Sequence, residues 1–316
     1  MRIIVTGAAG FVAPYFIRAI REANPNVEIF ACARRQTGTS TAEIEYALDI
    51  TDEAAVSELI AQIKPTHVMH LAGISAPPDA SADPKAAWTA NVFGTMNFAH
   101  AILQRAPQCV MMSAGSGEVY GSSANQVLPL DEDVLLRPAN EYAVTKAAAD
   151  LAIGSLTSSG LRSIRFRPFN HVGPGQTEKY ALSSFAAQIA RIELNLQPSV
   201  IRVGNLNAER DFLDVRDVAD AYVKATMRSD QIPTGSIFNV ASGIPRRVAD
   251  LLNRLIEMSS VNVSVEQDPN RIRPIEVPRI YGDASKARAM LDWSPRHDIN
   301  ETLSDLLSSW RRVIRS

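Results

Sequence analysis

The chain has 316 residues, 46% of them hydrophobic and 21% charged, with a formal net charge of −2. That balance suits a soluble globular protein and disfavours nucleic acid or an anionic membrane surface as a partner. No apolar run approaches the roughly 18–20 residues of a membrane span, no secretory leader pattern opens the chain, and Cys32 and Cys109 lack metal-ligand spacing; the expectations are a reduced, cytoplasmic setting and no metal site.

Short apolar runs at 2–6, 27–33, 67–72, 109–113 and 162–167 read as strands, and stretches near 11–23, 52–63, 84–106 and 140–158 read as helices. A further short run, EYALDI, closes on Asp49 and Ile50. Such alternation predicts right-handed βαβ units and an α/β fold, a Rossmann-type doubly wound parallel sheet. Ligands of such sheets sit beyond the carboxyl ends of the strands. The pattern changes after about residue 168. RPFNHVGPGQ reads as a loop, a helix follows near 180–196, VIRVGN reads as a strand, ERDFLDV as a connector and VRDVADAYVKAT as a helix. SIFNVAS is a strand, followed by a helix near 247–258, a strand at VSVEQ, an Arg/Pro-rich loop at 268–281 and a last helix near 300–313. The expected division is a dinucleotide-binding domain over 1–168, to which segments near 211–240 return, and a smaller carboxy-terminal α/β substrate domain over 169–316.

The first strand runs into TGAAGFVA, with Gly7, Gly10 and Ala13 at three-residue intervals. Gly7 permits a tight turn, Gly10 lets backbone approach a pyrophosphate, and Ala13 lets the next helix pack close to the sheet. The helix N-terminus then presents unpaired N–H groups and a positive dipole end to phosphate. The second strand ends in ACARRQ, with Arg34 and Arg35 where an acid would bind the 2′-hydroxyl of NAD. Arginines there suit a 2′-phosphate, so NADP(H) is favoured over NAD(H). Tyr142 and Lys146, in NEYAVTKAAAD, are spaced to share one helix face. An ammonium near a phenol lowers its pKa, which suits proton exchange with a sugar hydroxyl or carbonyl while hydride moves at a nicotinamide. Upstream, CVMMSAGSGEVYG is a strand entering a Ser/Gly loop with Ser116 at its tip, placed to hydrogen-bond the reacting oxygen.

TGAAGFVA, HLAG at 70–73, Asn91 in NVFGT, SGEVYG, YAVTK and RPFNHVGPGQ together resemble the extended short-chain dehydrogenase/reductase family of nucleotide-sugar enzymes. RPIEVPRIYGDASKA and LDWSP extend the likeness to the tail. Within the family the chain looks most like reductases that turn GDP-4-keto-6-deoxy-D-mannose into GDP-D-rhamnose. The resemblance implies Ser116, Tyr142 and Lys146 as catalytic residues. It implies Gly7, Gly10, Phe11, Val12, Arg34, Arg35, Asp49, Ile50, Leu71, Ala72, Gly73 and Asn91, together with Tyr142 and Lys146, as cofactor contacts. Asn170 is expected at the sugar or its phosphates, Arg210 and Arg273 at the diphosphate, and Arg202 at the base or ribose; guanidinium forks suit phosphate oxygens. Glu118 departs from a plain reductase pattern: similar GDP-mannose 4,6-dehydratases use an acid there to remove a proton. It keeps open a dehydratase or epimerase that recycles bound NAD(P), and counts among the substrate-side residues with Ser116. His171 either lines the nicotinamide pocket or holds the Asn170 loop. A dinucleotide-binding sensor without chemistry is the third alternative, disfavoured because Tyr142 and Lys146 are both present. The implied partners are a GDP-linked deoxyhexose and a second copy of the chain. The copies would pair through the helices near 84–106 and 140–158, whose alanines permit a close four-helix bundle. A talose epimer of the product is equally compatible with the sequence.

Overall fold

The computed structural model describes residues 1–35, 44–272 and 277–315. Its strands in chain order are β1 (Arg2–Thr6), β2 (Glu28–Ala33), β3 (Ile44–Ala47), β4 (His67–His70), β5 (Val110–Ala114), β6 (Ser163–Pro168), β7 (Asn170–Val172), β8 (Val200–Val203), β9 (Glu209–Asp214), β10 (Ser236–Val240), β11 (Pro245–Arg247), β12 (Ser264–Gln267) and β13 (Arg279–Ile280). The helices are α1 (Ala13–Ala23), α2 (Glu53–Ile63), α3 (Pro77–Ala82), α4 (Pro84–Trp88), α5 (Gly94–Arg105), α6 (Glu141–Leu156), α7 (Ala181–Glu193), α8 (Val215–Met227), α9 (Val248–Glu257), α10 (Ser285–Leu291) and α11 (Ile299–Arg315).

β1 is apolar at Ile3, Ile4 and Val5 because both faces of the strand are covered there. Ile3 and Val5 point to one side, where Phe16 and Ile20 of α1 and Tyr222 of α8 meet them. Ile4 points to the other, among Ile60 of α2, Phe98 and Ile102 of α5 and Ile153 of α6. The large sheet, with seven strands among the described residues, runs β10-β6-β5-β4-β1-β2-β3. Every pairing in it is parallel. The chain winds outward in both directions from β1, so a topological switch point, where such sheets bind ligands, falls between β1 and β4. This is the doubly wound parallel sheet expected from the sequence.

The helix expected at 84–106 forms, with one irregularity: Thr89–Phe93 is a π turn between α4 and α5. The expected helix at 140–158 forms as α6, whose N-cap Asn140 accepts from the Ala143 N–H at 2.9 Å.

Two expectations fail in the carboxy-terminal half. ERDFLDV is not a connector but β9, the centre of a small sheet in which it pairs with β7, β11 and β13. Its buried charges disguised it. Asp211 is 1% exposed and accepts from the Ser242 N–H (2.8 Å), the Ser242 hydroxyl (2.6 Å), and the Gly243 (2.9 Å) and Gly282 (3.3 Å) N–H groups. Four donors offset part of the cost of burying the carboxylate, whose pKa burial still holds above its usual value. RPFNHVGPGQ is only partly a loop: it contains the end of β6 and the short strand β7. Around the small sheet, α7, α9 and α11 bury Phe185, Leu252 and Leu303 against Ile201 and Phe212.

Candidate active site

A cleft of about 2320 Å³ opens along the carboxyl ends of β1, β2, β4 and β5 and continues between them and the small layer. Its floor is the glycine turn. Gly7 has φ +68°, and a Cβ there would lie 2.8 Å from the Ala72 nitrogen. A Cβ on Gly10 would lie 2.9 Å from the Gly7 carbonyl oxygen, which accepts the Gly10 N–H at 2.8 Å. The turn is therefore a cradle that only glycine fits. Beyond it, α1 starts without a side-chain cap, with proline in its first turn and no acid there. That leaves N–H groups and the positive dipole end for an anion. The chain fits a dinucleotide at this end of the cleft. Phe11, Val12, Ile50, Leu71, Ala72 and Gly73 also line it, as do Arg34 and Arg35, which are exposed at the end of β2. Asp49 lines it too. The Thr51 N–H (2.9 Å) and hydroxyl (2.8 Å) both donate to it and hold its carboxyl below the usual range, with Arg34 adding to the effect.

Ser116 sits just past β5 and caps the 3₁₀ turn Gly117–Asn125, its Oγ accepting from the Glu118 N–H at 3.1 Å. Tyr142 and Lys146 project from the first turns of α6, and all three line the same cleft. The Tyr142 phenol stands close enough to Ser116 for the hydroxyl to act on its acidity. Burial pushes that phenol well above its ordinary 10, and Ser116 pulls it back only in part. The lowering expected from Lys146 is absent. Lys146 Nζ donates instead to the Ala114 carbonyl at 2.9 Å, and its own burial brings the ammonium down to about 8.

Asn91 does not line this cleft. Its side chain is spent in holding the wall: Oδ1 accepts from the Ile74 N–H (2.7 Å), while Nδ2 donates to the Ile74 carbonyl (3.1 Å) and to Thr145 Oγ1 (2.9 Å). Thr145 lies on α6 between Tyr142 and Lys146, so Asn91 ties the end of β4 to the helix carrying the pair. A hydroxyl chain backs this tie. Thr6 Oγ1 accepts from the Leu71 and Ala72 N–H groups, both at 3.1 Å, and so donates to His70 Nδ1 at 2.9 Å. His70 Nε2 then donates to Thr95 Oγ1 at 3.1 Å, and that hydroxyl donates to the Asn91 carbonyl at 2.7 Å. His70 is fully enclosed, and burial depresses its imidazole to about 3.

On the small-layer side Asn170 and Arg210 line the cleft. Arg210 is 8% exposed and donates to the Glu209 (2.9 Å) and Pro278 (3.3 Å) carbonyls. Arg202 is off the cleft. Strand alternation buries Ile201 and Val203 and turns Arg202 outward, while its backbone pairs with Gln188. Arg273 lies outside the described residues. Glu118 lines the cleft, its Oε2 accepting from Asn140 Nδ2 at 3.3 Å. His171 holds its own loop and also faces the cleft. It lines the cleft, stacks on Phe11 at 6.0 Å, and donates from Nδ1 to the Phe169 carbonyl at 3.0 Å. Ser75, Asp79, Lys179, Tyr180, Arg216 and Arg271 also line the cleft and were not singled out from the sequence. They lie in loops and helix ends without periodicity; their one signal is that Ser75 and Lys179 follow closely on the strands β4 and β7.

A glycine-cradled doubly wound sheet with Tyr and Lys on one helix face beside a strand-end serine defines a short-chain dehydrogenase/reductase, an NAD(P)-dependent oxidoreductase. The family model described as GDP-mannose 4,6 dehydratase matches residues 4–306. The chain is 32% identical over 315 residues to a GDP-6-deoxy-D-mannose reductase of Pseudomonas aeruginosa, covering 99% of this chain and 98% of that one. It is 24% identical to a GDP-6-deoxy-D-talose 4-dehydrogenase of Aggregatibacter actinomycetemcomitans, covering 90% of each. A solved structure of RMD from Pseudomonas aeruginosa complexed with NADPH superposes with a TM-score of 0.86, 30% identity and 99% of both chains covered. The protein belongs to the GDP-mannose 4,6-dehydratase-like family of extended short-chain dehydrogenase/reductases. Among the described residues no helix is long and apolar enough to cross a membrane.

Proposed function

We propose that the protein uses NADPH to reduce the C4 ketone of GDP-4-keto-6-deoxy-D-mannose, giving GDP-D-rhamnose. The observation that carries this is the meeting of Ser116, Tyr142 and Lys146 in one cleft with a phosphate cradle at its other end. The full-length likeness to a GDP-6-deoxy-D-mannose reductase supports the substrate. When bound, the dinucleotide supplies the hydride that reduces the ketone carbon. The chain's own residues handle the proton. Tyr142 gives its phenolic proton to the ketone oxygen as negative charge grows there, and Ser116 Oγ hydrogen-bonds that oxygen. A phenol held above its ordinary pKa is protonated at neutral pH, as a donor must be. The Lys146 ammonium supplies positive charge beside the reacting groups, and Asn91 holds α6 in place.

Arg34 and Arg35 are the proposed 2′-phosphate contacts, and the RMD structure with NADPH supports that preference. The large sheet would hold the dinucleotide, and the small layer, through Asn170 and Arg210, the nucleotide sugar; this is the proposed division at residue 168. Homodimerisation through α4, α5 and α6 is proposed from Phe93, in the π turn between α4 and α5, and Leu151 on α6, each 60% exposed. Glu118 keeps a dehydratase as the second reading, since it stands in the cleft near Tyr142.

The test is to incubate the protein with GDP-mannose, with and without a separate 4,6-dehydratase, while following NADPH absorbance. NADPH consumption only with the dehydratase is expected. A keto-sugar formed from GDP-mannose by this chain alone, without net NADPH loss, would replace the reductase with the second reading.

A further inference from the structure

Two bonds cross the mouth of the cleft. Lys179 Nζ donates to Asp79 Oδ2 at 2.6 Å, and the Tyr180 hydroxyl donates to Ser75 Oγ at 2.9 Å. Ser75 and Asp79 belong to the wall that carries the catalytic tyrosine. α3, which bears Asp79, packs on α6, and its Ala80 shares a small apolar cluster with Tyr142, Ala87 and Ile74. Lys179 and Tyr180 belong to the opposite wall, on the loop leading into α7. That loop is tied to the small layer: Glu178 pairs with Arg191 at 2.7 Å, and Gln176 Nε2 donates to the His171 carbonyl at 2.8 Å.

The floor of the cleft is joined differently. There the Tyr15 hydroxyl donates to the Pro174 carbonyl at 2.7 Å, and Phe11 stacks on His171. The floor contacts are partly buried, whereas the Lys179 and Asp79 side chains at the rim are 56% and 44% exposed. An exposed pair of this kind is weak and readily exchanged for water. The walls are thus held firmly below and lightly above, over the phenol that would face the sugar.

We propose that Lys179–Asp79 and Tyr180–Ser75 form a clasp that opens to admit the nucleotide sugar and closes over it, making these four positioning residues for the reaction. The occupant rests on the reading given under the proposed function; the clasp itself rests on the two bonds. Closure would exclude water from the reacting oxygen and hold the substrate loop against α6.

Amide exchange on the full-length chain tests it. Asp79→Asn and Lys179→Met should each raise exchange in 77–82 and 178–182 together, by about 2- to 5-fold, the range an exposed pair commands. The swapped pair, Asp79→Lys with Lys179→Asp, should restore slow exchange in both. With NADPH and GDP-mannose as the probe, GDP-mannose dissociation should quicken by a similar factor in the single variants, with NADPH affinity unchanged. Unaltered exchange in the single variants, failure of the swap to restore it, or an equal loss of NADPH affinity would overturn the clasp. A coupled exchange response in a chain that does not bind GDP-mannose would leave the clasp standing and remove the substrate. GDP-mannose binding without that response would remove the clasp alone.

Discussion

In the proposed reaction Tyr142 is the residue whose protonation sets the direction of proton flow. Its phenol is raised by burial and only partly relieved by Ser116, so it keeps its proton at neutral pH, as the proposed role of donor to the ketone oxygen requires. Tyr142→Phe should lower kcat by about 10²- to 10⁴-fold, the usual worth of a positioned acid, with NADPH affinity retained in a fluorescence titration. The Lys146 ammonium, brought to about 8 by burial, is charged below that pH. Activity in kcat/KM should therefore fall as pH rises through about 8, and Lys146→Arg, which stays charged, should carry the falling limb upward. A limb unmoved in that variant would assign the titration elsewhere. At the other end of the cleft, loss of Arg34 and Arg35 should cost NADPH about 10- to 100-fold in kcat/KM, the range of one charged hydrogen bond, while leaving NADH nearly unchanged. The Tyr–Lys spacing was legible because helix geometry fixes it. The acidity of the pair was not, since burial is set by chain segments remote in sequence: α3 and the loop before α7 close around the phenol.

At the scale of elements, the glycine turn and the wall behind it carry the site. Gly7→Ala would force a side chain into positive φ and against the Ala72 backbone. It should destabilise the fold by about 1–3 kcal/mol in urea unfolding and weaken dinucleotide binding further. The turn was readable from sequence because glycine spacing and a strand–helix boundary coincide there. β9 was not. Its Asp211 reads as polar and exposed, and only the donors from Ser242, Gly243 and Gly282, 31 to 71 positions away, make its burial possible. Asn91 teaches the same lesson. The motif drew attention to it, yet its amide faces Ile74 and Thr145, a pairing set by the π turn, which no simple periodicity announces.

The whole molecule is a two-faced sheet with a second small layer beside it, and its stability has a titratable seam. His70 and His67 are held neutral by burial, with imidazoles depressed from 6.5 to about 3 and about 4. The unfolded chain takes up protons at these groups below about pH 6.5, and the fold refuses them until pH 4 to 3. Their stabilisation is thus intact above 6.5 and is lost as pH falls from there toward 3. Urea midpoints measured from pH 7 to 4 should fall accordingly, and His70→Gln should flatten the decline. An unchanged slope in that variant would place the acid sensitivity elsewhere. The parallel doubly wound sheet was legible from the alternating apolar runs, because a strand buried on both sides is largely apolar. The small layer was harder to read, its strands being short and its partners distant.

The most direct measurement supplies GDP-4-keto-6-deoxy-D-mannose with NADPH deuterated at the transferable position and examines the product by NMR. The account predicts one deuterium at C4 of the deoxyhexose, in the rhamno configuration, with one NADPH oxidised per product. A product without deuterium at C4, or turnover without net NADPH oxidation, would contradict it.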